Sequence, residues 1–195
     1  MNWPYLLPVA AYLLGSVSSA IVVARLMGLR DPRQVGSRNP GATNILRYGG
    51  KVAAVLTLLG DVLKGALAVL AARALTADPG IIALSGFLAF LGHLFPVYFG
   101  FRGGKGVATA FGVWLAVSPL VGLLLAGTWL LVAALFRYSS LAALTAALAV
   151  PVYVWWLVPG TPYLLAGVAI SAALIVRHRS NIRKLLAGKE TRIGK

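Results

Sequence analysis

Seven apolar stretches set the terms for this chain, at about 3–24, 52–72, 81–99, 107–117, 119–136, 141–158 and 162–176. A helix crossing the hydrocarbon core of a bilayer needs about 20 predominantly apolar residues. Such a segment must also bond all of its backbone groups internally, because lipid offers no partners. The fourth stretch is too short to cross roughly 30 Å at a rise of about 1.5 Å per residue. It is expected either to be shielded by its neighbours or to form a broken hairpin with the fifth. Either way, 100–105 and 137–140 fall on the same side. Charged residues make up 11% of the chain and apolar ones 59%, against about 25% charged in soluble domains, so an ordinary globular protein is excluded. Disorder is excluded by the same numbers. The expected fold is all-α: one integral-membrane domain over 1–195 with seven transmembrane helices, one or two of them short or broken.

The basic residues orient it. Sixteen of the 18 Lys and Arg fall in 25–51, 100–105, Arg137 and the tail from Arg177, leaving Arg73 opposite and Lys64 inside a span. The positive-inside rule makes that face cytoplasmic and puts the N-terminus outside. No basic residue precedes the first stretch, so it does not read as a cleaved signal peptide. Trp3, Tyr5, Trp155 and Trp156 suit an outer aromatic belt, and Tyr48, Tyr98, Phe99, Phe101 and Tyr138 an inner one. The whole net charge of +14 lies on the cytoplasmic face, which points to an anionic partner. There is no cysteine, hence no disulfide, thiolate metal site or cysteine nucleophile.

Three cytoplasmic segments carry chemical potential. The first, Gly36-Ser37-Arg38-Asn39-Pro40-Gly41-Ala42-Thr43-Asn44-Ile45-Leu46-Arg47, concentrates small hydrogen-bonding side chains beside arginines whose planar forks suit phosphate. The second, Gly100-Phe101-Arg102-Gly103-Gly104-Lys105-Gly106-Val107-Ala108-Thr109, is a glycine-rich turn with a lysine that opens into a helix, a natural phosphate cradle. It is not a Walker A loop: Phe99 replaces the leading glycine and Gly106 follows the lysine. In the third, Arg177-His178-Arg179-Ser180-Asn181, a continuing helix puts both His178 and Arg177 on a face with Asn181. Plainer readings exist for each: a turn-rich loop, a flexible hairpin, and a basic helix held by anionic lipid. Asp61 and Lys64 in the second span read as a buried pair bordering the site, His93 as a satisfied interhelical hydrogen bond, and Ser16 and Ser19 as helix packing.

What is missing narrows the chemistry. Four acidic residues offer no cluster for catalytic Mg²⁺. Neither histidine has an aspartate after four intervening residues, as soluble glycerolipid acyltransferases do, since Tyr98 and Arg183 occupy those positions. A conventional general base is hard to find.

Taken together the segments resemble the PlsY family, bacterial membrane acyl-phosphate:glycerol-3-phosphate acyltransferases. The resemblance runs through Gly15-Ser16 and Gly36 to Asn44, then Gly92-His93-Leu94-Phe95-Pro96-Val97 and Gly103 to Thr109, then Arg177 to Arg183 with Leu186-Ala187-Gly188 and Glu190. Asp61 with Lys64-Gly65 matches a further recurrent pair. Departures are Val17-Ser18-Ser19, where the family often has Ile-Pro and an aromatic, and Arg38, where glycine is frequent. The resemblance implies seven helices and acyl transfer from acyl-phosphate to glycerol 3-phosphate, giving lysophosphatidic acid and phosphate in phospholipid synthesis. It also implies a soluble partner, the PlsX acyltransferase, that supplies the donor at the cytoplasmic (inner) membrane.

By matching position the implied functional residues are Ser37, Arg47, Lys105, His178 and Asn181. Within this reading Arg47 and Lys105 hold the glycerol phosphate, and the amides of Gly103, Gly104 and Gly106 with Thr109 cradle the acyl-phosphate. Ser37, Asn39 and Asn44 bond both substrates, while His178 and Asn181 close the site. No metal, cofactor or nucleic acid is expected. A substrate phosphate, with a second pKa of about 6, is the expected proton acceptor in preference to His178. The rivals are a small organic-phosphate transporter, which calls for midplane binding groups and internal symmetry, and a non-enzymatic scaffold that tolerates loss of Lys105 or Arg47.

Overall fold

In the computed structural model, which describes residues 3–194, ten α-helices follow one another with two short 3-10 turns and, among the described residues, no strand. They are α1 (Leu7–Gly15), α2 (Ser19–Leu26), α3 (Ala42–Tyr48), α4 (Gly50–Leu75), α5 (Pro79–Leu94), α6 (Val107–Val117), α7 (Pro119–Phe136), α8 (Ser139–Leu157), α9 (Thr161–Arg177) and α10 (Arg179–Leu186). Their starts are legible in local chemistry. Asp78 caps α5 by accepting from the Gly80 amide at 2.7 Å, with Pro79 at the first helical position. Ser118 and Pro119 both stop α6 and start α7.

Among the described residues α4, α5 with its following turn to Phe99, α7 and α8 are long and apolar enough to span a bilayer, and each of two bent pairs, α1–α2 and α9–α10, also qualifies when taken as one. The first stretch, expected as one span over 3–24, is therefore a bent one. It breaks at Ser16–Ser18 with a 41° bend. The physical reason lies on another helix. The Lys64 ammonium donates to the Val17 carbonyl at 2.8 Å and pairs with Asp61 at 2.9 Å. A carbonyl freed by the break thus finds a partner where none exists in lipid.

Short α6 sits in the interior, packed against α4, α5 and α7. Backbones touch there, since a methyl group on Gly65 would meet the Thr109 carbonyl oxygen at 2.3 Å and one on Gly112 the Val62 oxygen at 2.0 Å. Arg73 of α4 donates to the Ala116 and Val117 carbonyls at 2.7 and 3.3 Å, capping the far end of α6. That cap and the surrounding helices allow an 11-residue helix to end inside the bundle.

Candidate active site

The three basic segments converge at one end of the bundle. Arg177, at the end of α9, donates to the Gly103 carbonyl at 2.8 Å and to the Gly104 carbonyl at 3.0 and 3.2 Å. Thr43 of α3 meets Ser139 of α8 at 3.4 Å. From the tail, Glu190 accepts from Ser140 at 2.8 Å and from Asn181 at 2.7 Å, and the Asn181 carbonyl oxygen in turn accepts from Lys105.

These contacts enclose a cavity of about 770 Å³. Its polar end presents Ser37, Asn39, Arg47, Lys105, His178 and Asn181. From there it runs between apolar walls, past Val62, Phe111 and Leu125 to Trp114 and Ile170. Leu59 of α4 and Leu130 of α7 line it while remaining 51% and 61% exposed, so the groove opens sideways between those helices.

Electrostatics at the polar end are unusual. Burial pushes the Lys105 ammonium down to about 8; the nearby cations Lys184, Arg177 and Arg47 act in the same direction, and Glu190 against them. Burial likewise takes His178 down to about 4, so it is neutral at pH 7. Its Nδ1 lies 2.9 Å from the Leu174 carbonyl, which can only accept, so that nitrogen carries the proton and Nε2 keeps a lone pair.

Several expected residues take other roles. Asn44 lines the cavity, yet its side chain is engaged within its own loop: Oδ1 accepts from the Ser37 amide at 2.9 Å and Nδ2 donates to the Pro32 and Val35 carbonyls. It holds Ser37 in place and has little left for a substrate. Thr109 is fully buried with its carbonyl against α4 and is not in the cavity wall. The Gly104 amide donates to the His93 carbonyl at 3.2 Å and so is not a free cradle donor. Gly103 faces a different, smaller cleft. Glycine is required at 104 because a methyl there would lie 2.2 Å from His93 Nε2 and 2.9 Å from the Pro40 oxygen. Gly106 lines the cavity at φ +85°, a left-handed turn that leads directly into α6.

Two further expectations need amendment. The helix does not continue through the third segment but bends by 59° at His178, so the shared face with Asn181 is replaced by a corner. His93 approaches Asp61 at 3.5 Å, a contact longer than a hydrogen bond, and its Nδ1 has no hydrogen-bond partner among the described residues. Asp61 and Lys64 do form the buried pair bordering the cavity. Sequence reasoning missed Arg177 and Glu190 as organisers of the site. The available signal for Glu190 was its being the lone carboxylate among the seven cations from Arg177 onward.

Comparison with known proteins follows this geometry. The family described as Glycerol-3-phosphate acyltransferase matches residues 5–188. A glycerol-3-phosphate acyltransferase of Thioalkalivibrio sulfidiphilus is 60% identical over 188 residues, covering 96% of this chain and 93% of that protein. One from Methylococcus capsulatus is 56% identical over 184 residues, covering 94% and 93%. Among solved structures, the glycerol 3-phosphate form of PlsY, an integral membrane glycerol 3-phosphate acyltransferase, superposes with a TM-score of 0.93 at 42% identity, covering 99% of this chain and 96% of that one. Its lysophosphatidic acid form gives 0.91 at 40%, with the same coverage.

Proposed function

Since the chain belongs to the glycerol-3-phosphate acyltransferase family and is a multi-pass membrane acyltransferase, we propose that it acylates glycerol 3-phosphate with an acyl-phosphate donor, without a metal. The observation that carries this is the shape of the 770 Å³ cavity: a cationic end continuous with an apolar groove open to lipid. Both proposed substrates carry phosphate and one carries a long alkyl chain. The solved relatives are described as glycerol 3-phosphate and lysophosphatidic acid forms, which supports the acceptor and the product.

In the reaction, the glycerol hydroxyl attacks the carbonyl carbon of the mixed anhydride. A carbon–oxygen ester bond forms, the carbon–oxygen bond to phosphorus breaks, and inorganic phosphate leaves. The hydroxyl proton passes to a substrate phosphate, whose second pKa of about 6 lies close to working pH. His178, held to about 4, is a weak base for this step; it lines the polar end of the cavity and helps to close it around the substrates. Arg47 and Lys105 hold the glycerol phosphate. The donor phosphate lies at the start of α6, where Gly106, Val107 and Ala108 line the cavity and the helix end favours an anion. Ser37 and Asn39 bond both substrates, and Asn181 closes the site from the tail. The enzyme's contribution is proximity and charge stabilisation. Cations dominate the polar end, and its Glu190 carboxylate is engaged by Ser140 and Asn181, a donor set poorly suited to a divalent cation.

This reading places the basic end in the cytoplasm of a bacterium and the N-terminus outside, with short α6 counted fourth among seven spans of a single domain and a PlsX-type enzyme delivering the donor. The test is lysophosphatidic acid formation by the purified protein from acyl-phosphate and glycerol 3-phosphate in the presence of a chelator. Activity that needs Mg²⁺ defeats the metal-free proposal; activity with acyl-CoA in place of acyl-phosphate defeats the donor.

A further inference from the structure

A second cleft, about 420 Å³ in volume, lies beside the glycine loop and shares no lining residue with the acyl-transfer cavity. Arg33, Arg38, Arg102 and Arg177 line it, with Asp31 and Phe101. Asp31 is already engaged: it accepts from Arg33 at 2.6 to 3.2 Å, and Arg33 also donates to the Phe99 carbonyl. Arg177 is held by the Gly103 and Gly104 carbonyls. Arg38 and Arg102 have neither a carboxylate nor a hydrogen-bond acceptor among the described residues. Four guanidinium groups thus share one small concave surface with a single counter-charge. Like charges so arranged repel, and an anion with several oxygens relieves all four together.

Backbone geometry adds an independent sign. Arg38 adopts φ +56° and Phe101 φ +59°, in the left-handed region where glycine is at home. Strain at two positions that aim side chains into one cleft suggests that something is held there. Phe101 is 58% exposed and the neighbouring Tyr98 56%, which sets the cleft beside an aromatic surface suited to the membrane interface.

We propose that this cleft is a second anion site, distinct from the acyl-transfer cavity, which binds the phosphate group of a phosphate ester at the membrane surface. The chemistry is common to an anionic lipid headgroup and a soluble phosphate. Because it touches Arg177, an occupant also contacts the residue that fixes the loop carrying Lys105. The site stands whether or not the donor proposed for the larger cavity is correct.

Two arms distinguish the sources, using the full chain and the double variant Arg38→Gln/Arg102→Gln. Arg30→Gln/Arg179→Gln serves as a control that removes equal charge outside the cleft. In detergent, equilibrium dialysis with labelled inorganic phosphate is expected to give one equivalent fewer for the double variant than for the parent. In native mass spectrometry with phosphatidylglycerol, the parent is expected to retain one lipid that the double variant loses, with affinity down about tenfold or more, while phosphatidylcholine is retained by neither. Loss in the first arm alone identifies a soluble phosphate, and loss in the second a lipid headgroup. Equal binding by parent and double variant in both arms, or an equal loss in the control, overturns the proposal. Arg38→Gly separates binding from folding: relief of the left-handed strain leaves the unfolding midpoint unchanged or higher while binding falls. A midpoint that falls together with binding means Arg38 is structural, and also overturns it.

Discussion

The two sides of the acyl-transfer cavity are built differently. Lys105 rides on a loop whose glycines at 103, 104 and 106 are buried, pressed against His93, Leu94, Pro40 and Phe90, and tied to α9 by Arg177. Behind it stands the buried Asp61–Lys64 pair with His93. Asn181 rides on α10, which has no buried residue and reaches the bundle through a few polar links, chiefly Glu190 to Ser140 and Arg137 with Ile193. One side is part of the fold; the other is docked onto it. Damage to the buried contacts that fix the first should show as lost stability, and damage to the links that dock the second as lost activity in a protein that still folds.

The largest effect tests the built-in side. Asp61→Asn leaves the Lys64 ammonium buried without its counter-charge, and removing one partner of a buried pair costs about 3–5 kcal/mol. A correspondingly lower unfolding midpoint in detergent is expected. The double variant Asp61→Leu/Lys64→Met removes both charges and should recover most of that loss, although the Val17 carbonyl then lacks its donor. If the single variant unfolds like the parent, the buried pair does not support the loop and the contrast fails.

Next comes Lys105→Met. Loss of a pre-positioned cation at the reacting phosphates should lower kcat/KM by about 10²–10³. The same change removes an ammonium that burial already disfavours, so the variant should be more stable than the parent at pH 7. A destabilised Lys105→Met would mean that its bond to Asn181 holds the tail, and would erase the distinction between the sides.

The docked side is probed by Glu190→Gln, which preserves shape and weakens two charge-assisted bonds, to Ser140 and Asn181. About a tenfold loss in kcat/KM is expected, at roughly 1.4 kcal/mol, with little change in unfolding midpoint. A midpoint falling as far as that of Asp61→Asn would show the tail to be as integral as the loop.

This asymmetry also explains how much the sequence disclosed. Hydropathy located the helices from α4 to α9 to within a few residues, because apolar length is what the bilayer constrains. It could not reveal the break at Ser16–Ser18, since Val17 and three serines are nearly neutral there and the compensating donor, Lys64, lies on another helix. The family resemblance, by matching position, pointed to Ser37, Arg47, Lys105, His178 and Asn181, and all five line one cavity. Orientation was beyond it: Asn44 turned inward to staple its loop, and Thr109, one helical turn past Gly106, faces α4. The arginines of the second cleft were indistinguishable from ordinary inside-rule charges until folding brought 33, 38, 102 and 177 together.

The smallest effect is a pH limb, and it isolates Lys105 within the built-in side. With its ammonium held to about 8 in the free protein, kcat/KM should fall as pH rises through that value. Bound phosphates favour the charged form, so the limb in kcat should move to higher pH. Lys105→Arg, charged throughout this range, should lose the limb even though its different shape lowers the rate. Stability runs the other way. The unfolded lysine titrates at its ordinary 10.5, so between about 8 and 10.5 the unfolded chain binds the extra proton and the native state gains stability as pH rises. The parent should therefore close its stability gap to Lys105→Met across that window. A constant gap, or an alkaline limb that survives in Lys105→Arg, assigns the titration to another group and removes Lys105 from its place beside the substrate phosphates.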